Sequence, residues 1–356
     1  MAALAALAAL AAGGAGAAAQ FAALRPAWQR CVLRARDGPA SVRWYERHFG
    51  MTLLAHERVG AHEHRFVLAT LPRGEQAGVA APESRAAAQA AASPRHGQSQ
   101  LELVWLEGSE SLSGAALPVR DHVGRSQLFA NGNAEPRGFG HVAFNVPDVY
   151  ALCAALEAQG VPFKKRPDEG MMKGLAFACD PDGYWVEILH GRSAAEPDRC
   201  TLSQTMLRVK DPAPSIAFYS ALFDMQNVLE RHFDASRGDF SLFFLATKTR
   251  EVARLLEQDK ASVTTTMWDA ALELTWNHGT EAQPGPSYHN GNDVTFPGVA
   301  GAVPQGFKSL AFLVDDLRQF KQLVQRYGVP LLHASDALVV LADPTGYHVE
   351  VRQRAT

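Results

Sequence analysis

Short apolar runs alternate along the chain with segments whose apolar residues recur at helical spacing. Residues 138–144 read GFGHVAF and residues 306–312 read GFKSLAF, and an acidic turn, VPDV or VDDL, follows each apolar run. In residues 146–161, VPDVYALCAALEAQGV, apolar residues recur every three or four positions, and Gly160 is suited to end a helix. The pattern predicts a short strand that passes through the acidic turn into an amphipathic helix.

Two later segments place turn residues in front of a β-rich run. Residues 180–188 read DPDGYWVEI, and residues 343–351 read DPTGYHVEV. Proline fixes φ at one turn position, and glycine accepts the positive φ of another. The residues behind each turn are typical of a strand. We therefore predict a unit in which a strand and a helix are followed by three more strands, βαβββ.

The chain contains this unit repeatedly. LRARD followed by SVRWYERHFGM corresponds to LRVKD followed by SIAFYSALFDM, and LEL with GSE corresponds to LEL with GTE. Since internal similarity of this kind indicates repeated structural units, we predict an α+β protein of two homologous halves, residues 28–198 and 199–356. Each half holds two units, and the Ala- and Ser-rich residues 78–98 form an exposed loop inside the first. The four units begin near Trp28, Arg137, Thr201 and Pro304.

Composition narrows the class of protein. A chain of 356 residues is long enough for two domains with their own cores. Its hydrophobic fraction of 47% and charged fraction of 20% are those of a globular protein. The net charge of −3 provides no basic surface, so we expect neither a nucleic-acid nor a membrane partner. The four cysteines form no CxxC pair and are typical of reduced thiols in a reducing compartment.

Residues 1–27 differ from the rest of the chain. They are rich in alanine and contain one arginine and no acidic residue. Two interpretations carry equal weight, an organellar transit peptide and a disordered low-complexity tail. Alanine is too weakly apolar for this stretch to span a membrane. We expect a cytoplasmic protein, or a plastid or mitochondrial one if the stretch is a transit peptide.

Polar side chains occur on predicted strands that are otherwise apolar. Alternate residues of a strand share a face, so Gln204 faces the same way as Arg208, and Glu273 the same way as Asn277. A buried carboxylate without a partner costs several kcal/mol. Glu273, and Glu187 in the WVEI strand, therefore need compensation, or they must face water at a sheet edge.

A divalent metal ion is one form of that compensation. Two carboxylates, an imidazole and an amide oxygen suit a mixed nitrogen and oxygen site. His141 can supply the imidazole, and Arg137 shares its face if residues 137–141 are extended. The alternative is an ordinary polar histidine with glutamates directed to solvent, and spacing alone does not decide between the two.

Four motifs resemble those of the glyoxalase I (lactoylglutathione lyase) family in the vicinal-oxygen-chelate superfamily, especially its zinc-type eukaryotic form. They read QTMLRVKDP, LELTWNHGTE followed by YHNGN, RGFGHVAFNVPDVYALC, and MMKGLAFACDPDGYWVEIL. The resemblance covers about residues 28–353. It implies that the four units pair into two open β-barrel clefts, so that each half of the chain is a glyoxalase-like domain.

The resemblance also implies a metal site and a reaction. The cofactor would be a divalent metal, Zn²⁺ first and Ni²⁺ or Co²⁺ as alternatives. The substrate would be the hemithioacetal of methylglyoxal and glutathione, isomerised to S-D-lactoylglutathione. Glu187 would be the principal base and Glu273 its partner. The four implied metal ligands are Gln204, Glu273, His141 and Glu187.

The family's substrate contacts map onto five positions. Arg208 and Asn277 would hold the γ-glutamyl end of glutathione. Arg137 and Lys165 would hold the glycyl carboxylate, since two carboxylates at opposite ends of a tripeptide require separated cations. Met172 would belong to the loop that covers the substrate.

The implied ligands fall in units 2 and 3, so pairing these units completes one site. Pairing units 1 and 4 places Arg30 at the glutamine position and Ser309 at the histidine position, with Glu102 and Glu350 retained. A guanidinium carries no acceptor and repels a cation. We therefore predict that the second cleft binds no metal.

Two other functions fit the same architecture. An extradiol dioxygenase needs two histidines and one carboxylate around iron, and Gln204 stands where its first histidine would be. A non-catalytic protein that binds a small molecule is the other. Because a single chain supplies both halves of each cleft, we expect a monomer.

Overall fold

A computed structural model describes residues 6, 9, 14–72, 99–113, 119–120, 125–191, 198–299 and 301–354 of the chain. The predicted loop 78–98 and most of residues 1–13 lie outside these ranges. No helix in the described ranges is long and apolar enough to span a membrane.

The strands and helices of the described chain follow in sequence order. The strands are β1 (Ala27–Ala35), β2 (Thr52–Val59), β3 (Glu63–Ala69), β4 (Gln100–Leu106), β5 (Val119–Arg120), β6 (Ser126–Gln127), β7 (Phe139–Val146), β8 (Phe163–Lys165), β9 (Ala176–Cys179), β10 (Trp185–His190), β11 (Thr201–Arg208), β12 (Met225–Phe233), β13 (Phe240–Thr247), β14 (Ala271–Asn277), β15 (Phe307–Val314), β16 (Leu331–Ala334), β17 (Val339–Ala342) and β18 (His348–Gln353). The helices are α1 (Gly14–Ala22), α2 (Gly38–Phe49), α3 (Val149–Ala158), α4 (Pro212–Phe223), α5 (Arg250–Asp259), α6 (Val263–Thr266) and α7 (Leu317–Arg326).

The four predicted βαβββ units are confirmed. They are β1-α2-β2-β3-β4, β7-α3-β8-β9-β10, β11-α4-β12-β13-β14 and β15-α7-β16-β17-β18, with α5 and α6 inserted before β14. An aspartate side chain caps the first turn of each unit's main helix by accepting from a backbone N–H, which explains why each acidic turn begins a helix. The capping residues are Asp37, Asp148, Asp211 and Asp316.

The units pair across the two halves of the chain. One sheet has the order β16-β17-β18-β15-β1-β4-β3-β2 and joins units 4 and 1, and the other has the order β12-β13-β14-β11-β7-β10-β9-β8 and joins units 3 and 2. The same register shift occurs in both, between Trp28 and Arg30 and between Leu202 and Gln204. The two curved sheets are therefore related position by position.

The condition under which Arg137 would share a strand face with His141 is not met. Strand β7 begins at Phe139, so Arg137 lies in the preceding loop and does not share a strand face with His141. The backbone carbonyl of Arg137 accepts from the N–H of His289, in a loop far away in sequence, rather than joining the ladder of β7. A hydrogen bond between distant loops thus removes Arg137 from the strand.

The two sheets are held together by contacts within each half. The hydroxyl of Tyr45 on α2 donates to Asp180 in the turn before β10, at 3.0 Å. The hydroxyl of Tyr219 on α4 donates to Asp343 in the turn before β18, at 2.9 Å. All four side chains are buried. Each half of the chain therefore connects one sheet to the other through the same tyrosine–aspartate contact.

Part of the N-terminal stretch is folded against this core. Helix α1 packs on α4 and α7, and the fully buried ring of Phe21 meets Phe320 edge-on with ring centroids 5.5 Å apart. The carbonyl of Leu24 accepts from the N–H of Asp315 at 2.9 Å. Residues 14–24 are therefore not a disordered tail, because their apolar side chains pack against helices of the second half of the chain.

Candidate metal centre and active site

Three acidic and imidazole side chains converge in the sheet of units 2 and 3. His141 projects from β7, Glu187 from β10 and Glu273 from β14. Nε2 of His141 lies 3.2 Å from Oε2 of Glu187 and 3.6 Å from Oε2 of Glu273. All three residues are buried, and one potential ligand atom of each lies within 4.8 Å of the others. This is the arrangement that the sequence motifs predicted for a metal centre.

Gln204, on the adjacent strand β11, lines the same cavity. Its Oε1 and Nε2 of His141 are buried without a hydrogen-bond partner. A buried polar atom normally has one, and leaving it unpaired costs free energy. Two unpaired acceptor-type atoms beside two carboxylates match the donor set of a divalent cation with nitrogen and oxygen ligands. The residues therefore fit the metal that the sequence predicted.

The two carboxylates raise the pKa of His141. Burial alone would lower the pKa of His141, but the negative charges of Glu187 and Glu273 raise it to about 9. The site thus attracts positive charge strongly, and a proton on His141 is one way to satisfy it. A divalent cation bound to the neutral imidazole is the other, and it would displace that proton.

The strand positions beside His141 are shaped for this site. A Cβ on Gly140 would overlap with Cε and Sδ of Met206, so the flexible methionine side chain packs against the space that this glycine leaves open. The ring of Phe177 meets the imidazole edge-on with centroids 5.3 Å apart. These contacts restrain the imidazole, and Met206 and Phe177 also line the cavity.

The cavity has a volume of about 350 Å³ and two kinds of wall. The candidate metal ligands make up part of its lining, and apolar side chains make up much of the rest. These apolar residues include Met172, Leu175, Phe177, Leu189, Phe233, Phe240, Leu242 and Phe244. Met172 is 39% exposed and lies in the loop after β8, at the margin of the cavity, as expected for a residue of a covering loop.

Four hydrogen bonds hold the guanidinium of Arg208, which lines the cavity. Its guanidinium donates to the carbonyls of Gly132, Gly138 and Phe139, at 3.2 to 3.3 Å, and to Oδ1 of Asn133 at 2.8 Å. Arg34 makes the corresponding four contacts in the other sheet. The backbone contacts thus serve the fold in both sheets, and they also fix where the charge of Arg208 lies.

The other predicted substrate residues are divided between two places. Asn277 and Arg137 line the cavity with Arg208, and the pKa of Arg208 is lowered by burial and further by the positive charge of Arg137. Arg137 and Arg208 therefore line the same cavity. Lys165 is not part of the cavity wall, and its ammonium donates to the carbonyl of Leu175 at 2.6 Å. The predicted joint binding of the glycyl carboxylate by Arg137 and Lys165 stays a prediction, and of the two Arg137 is the one that lines the cavity.

Two contributions to this site were missed in the sequence. Tyr288 accepts a hydrogen bond from Nδ2 of Asn277 at 2.7 Å, and its position in the YHNGN motif was the signal. Thr264 and Thr265 line the cavity from the α6 insertion. No repeat marks that insertion, because the first two units and the fourth have no counterpart to α5 and α6 among the described residues.

In the cleft of units 1 and 4, arginine and lysine side chains pair with the carboxylates at the corresponding positions. Arg30 donates to Glu102 at 2.7 Å, and Arg65 donates to its other oxygen at 3.2 Å. Lys308 and Arg352 hold Glu350 at 3.0 and 2.9 Å. The hydroxyl of Ser309, at the histidine position, also donates to Glu350 at 2.9 Å.

These cations keep the two carboxylates ionised. Burial would raise the pKa of both, but Arg30 and Arg65 lower the pKa of Glu102, and Lys308 and Arg352 lower that of Glu350 well below its ordinary value. Within the described ranges, His141, Glu187 and Glu273 form the one group of three such side chains close enough to share an ion. The predicted loss of the second metal site thus has a structural explanation.

Comparison with known proteins agrees with this architecture. Residues 28–188 and 201–351 match the model of the Glyoxalase/Bleomycin resistance protein/Dioxygenase superfamily. The chain is 34% identical over 330 residues to a lactoylglutathione lyase of Schizosaccharomyces pombe, covering 90% of this chain and 94% of that one. It is 30% identical to glyoxalase I of Saccharomyces cerevisiae, covering 90% of each.

A solved structure supports the fold. Glyoxalase I from Zea mays superposes with a TM-score of 0.59 at 21% identity, covering 92% of each chain. The two-sheet arrangement of repeated units is therefore shared with an experimentally determined protein.

Proposed function

The chain belongs to the Glyoxalase/Bleomycin resistance protein/Dioxygenase superfamily, and from its similarity to relatives named lactoylglutathione lyase and glyoxalase I we infer that it is a lactoylglutathione lyase with one working site between units 2 and 3. One observation carries the choice of site. His141, Glu187 and Glu273 converge there, whereas the equivalent carboxylates of the other cleft are neutralised by arginine and lysine. Two relatives with this name match 90% of the chain.

The metal of this site would be held by Gln204, Glu273, His141 and Glu187. Zinc is the first choice, and nickel or cobalt can occupy a site of the same donor type. When bound, the cation supplies Lewis-acid stabilisation of negative charge on substrate oxygens. The unpaired atoms of His141 and Gln204 support this assignment.

Glu187 and Glu273 would move the proton. The hemithioacetal of methylglyoxal and glutathione loses a proton from one carbon and gains one at the neighbouring carbon, which yields S-D-lactoylglutathione without a redox change. Both carboxylates are buried and line the cavity, so each can reach a bound substrate as a general base or acid. We assign Glu187 as principal base and Glu273 as its partner on the opposite face.

The two ends of the tripeptide would be recognised in different places. Arg208, Arg137 and Asn277 gather where the γ-glutamyl group would lie. Lys165 remains the proposed partner of the glycyl carboxylate, although its ammonium donates to the carbonyl of Leu175. It would have to release that carbonyl when the loop bearing Met172 moves over the substrate.

The other two functions are less consistent with the site. An extradiol dioxygenase requires two imidazoles and one carboxylate, whereas the group here holds one imidazole and two carboxylates. A non-catalytic binding role suits only the cleft of units 1 and 4. We propose a monomer, because each sheet is completed within one chain. Its location would be cytoplasmic, or organellar if part of residues 1–27 is a leader.

The test is thioester formation, followed as ultraviolet absorbance after methylglyoxal and glutathione are added to the purified protein. We expect turnover at a rate typical of enzymes. Oxygen consumption with a catechol, without thioester formation, would favour the dioxygenase. Inactivity in both assays would favour the binding protein. A light-scattering mass of about twice that of the chain would contradict the monomer.

A further inference from the structure

The side-chain amide of Asn277 has a fixed partner beside the cavity. Asn277 ends β14 and lines the cavity, and its Nδ2 donates to the hydroxyl of Tyr288 at 2.7 Å. Tyr288 is only 5% exposed. Its ring therefore cannot move away without exposing apolar surface, so the Asn277 amide keeps this partner, and Nδ2 is the end of the amide that faces the hydroxyl.

This orientation decides which part of the amide a ligand meets. Because Nδ2 faces Tyr288, the carbonyl oxygen Oδ1 of Asn277 is left for the ligand, and it has no hydrogen-bond partner within the described chain. A carbonyl oxygen accepts from an N–H group and offers nothing to a carboxylate. The guanidiniums of Arg208 and Arg137, which both line the cavity, can instead bind a carboxylate, and Nε of Arg137 already donates to Oε1 of Glu135 at 2.8 Å.

The other cleft has lost both members of the pair. Asn277 pairs with Phe240 across the sheet, and Leu106 holds the same position opposite Glu63. Tyr288 precedes the Asn-Gly-Asn of YHNGN by two residues, and the corresponding residue of FANGN is Phe129. The glycines of the two motifs have φ of +82° and +79°, and a Cβ on either would strike the first carbonyl of the following strand. This equivalence of the two loops supports the comparison. The cleft of units 1 and 4 thus has Leu106 in place of Asn277 and Phe129 in place of Tyr288, so it lacks both the amide and the hydroxyl.

We propose that Tyr288 is a positioning residue that orients Asn277 for an ammonium group. In this arrangement Oδ1 of Asn277 accepts from the α-ammonium of a γ-glutamyl group, and Arg208 with Arg137 binds its α-carboxylate. The proposal rests on the proposed function, because that function makes a γ-glutamyl thiol the ligand of this cavity. It goes further by giving Tyr288, which the sequence motifs did not single out, a role in recognition of the ammonium group.

The experiment compares three thiols, each combined with methylglyoxal. Glutathione carries both groups, glutaryl-cysteinylglycine lacks the α-ammonium, and 4-aminobutyryl-cysteinylglycine lacks the α-carboxylate. The full-length protein and its Tyr288→Phe variant are assayed for kcat and KM. Loss of a net hydrogen bond of about 1 kcal/mol raises KM for the glutathione adduct by roughly fivefold, with kcat unchanged. With the glutaryl adduct, wild type and Tyr288→Phe should have equal KM. With the aminobutyryl adduct, the KM of Tyr288→Phe should again exceed that of the wild type.

A matched variant separates positioning from general damage. Tyr184→Phe removes the same atom from a buried tyrosine whose hydroxyl donates to the carbonyl of Arg34 at 3.1 Å, beside the other cleft. We expect the ratio of KM between this variant and the wild type to be the same for all three adducts. An equal effect of Tyr288→Phe on all three adducts, or an effect lost only with the aminobutyryl adduct, would overturn the proposal.

The failure of the proposed function would be visible separately. In that case the wild-type protein would turn over none of the adducts. Calorimetric binding of S-methylglutathione and its glutaryl counterpart would still test Tyr288, because it needs no turnover. A loss of affinity in Tyr288→Phe confined to S-methylglutathione would support the proposal, and equal affinities of wild type and variant for both compounds would contradict it.

Discussion

His141 and Ser309 occupy the same position of two equivalent strands. His141 pairs with Met206 across β7 and β11, and Ser309 pairs with Val32 across β15 and β1. The imidazole faces two carboxylates without a hydrogen bond, whereas the serine hydroxyl donates to Glu350. The same backbone therefore supports a candidate metal centre in one sheet and an ion-pair network in the other.

Replacement of Glu187 or Glu273 by glutamine should abolish most of the turnover. Loss of a general base costs about 100- to 10,000-fold in rate, and we expect kcat to fall by this amount. The metal content of each variant should be measured alongside, so that loss of the base is distinguished from loss of the ion.

Glu350→Gln and Glu102→Gln are the matched controls for this experiment. They change the equivalent positions of the other sheet, and their folded fractions should keep wild-type kcat. Near wild-type kcat in Glu187→Gln would show that the principal base has been assigned wrongly.

The metal content should be one ion per chain. Chelation should remove the activity. Addition of Zn²⁺ should restore it, and Ni²⁺ or Co²⁺ should be able to substitute. Elemental analysis of the purified protein measures the ratio. Two ions per chain would contradict the account of the second cleft.

A second ion should not bind in the other cleft when only Arg30, Lys308 and Ser309 are replaced by the residues at the equivalent positions of the first. In the variant Arg30→Gln with Lys308→Gly and Ser309→His, Arg65 and Arg352 still neutralise the two carboxylates, so the ratio should stay at one. Adding Arg65→Leu and Arg352→Leu, the residues found at the equivalent positions 242 and 189, should raise it. A second ion in the first variant would show that these arginines do not matter.

The ion pairs of the second cleft should make stability depend on acid. The pKa of Glu350 is depressed in the folded protein by Lys308 and Arg352. Its stabilising contribution is therefore fully present above the ordinary glutamate pKa of about 4.3 and is lost as the pH falls towards the folded-state pKa. Glu350→Gln should lower the free energy of unfolding by about 3 kcal/mol at pH 7.

Denaturant titrations at pH 7 and under acid conditions measure that difference. The gap between Glu350→Gln and wild type should narrow in acid. Glu107→Gln, which breaks an exposed pair with Arg58, is the control and should cost about 1 kcal/mol or less. A cost for Glu350→Gln that is constant with pH would contradict the electrostatic explanation.

Phe21→Ala should destabilise the protein although it lies in the alanine-rich N-terminal stretch. Its ring is fully buried against Phe320, and removal of a buried aromatic ring costs about 3 to 5 kcal/mol. Chemical unfolding measures the loss. Leu332→Ala, at a residue that is half exposed, should change stability by about 0.5 kcal/mol or less. Equal stability of both variants would mean that α1 does not pack as described.

The same packing bears on processing of the N-terminus. If a leader is removed, we expect the mature chain to retain Phe21, because cleavage beyond it would expose the surface that α1 covers. Mass determination of the N-terminus from the natural source measures this. A mature chain that begins after Phe21 would contradict the expectation.

Much of the fold and the candidate ligand set were present in the local pattern of the sequence. Alternation and helical spacing predicted the βαβββ units, since both depend on neighbouring residues. The repeated motifs placed His141 and Ser309, and likewise Gln204 and Arg30, at corresponding positions of the repeat. The register of both sheets agrees with that correspondence.

The remaining features depend on contacts between segments far apart in the chain. A hydrogen bond to the loop at His289 takes Arg137 out of its strand, and Lys165 donates to Leu175 rather than lining the cavity. Arg65 reaches Glu102 from another strand, and Phe21 meets Phe320 from the other half of the chain. The sequence alone determined which residues could act chemically. Only the tertiary structure decided which of them meet, because side-chain direction in a loop and the choice of a distant partner are set by packing rather than by local spacing.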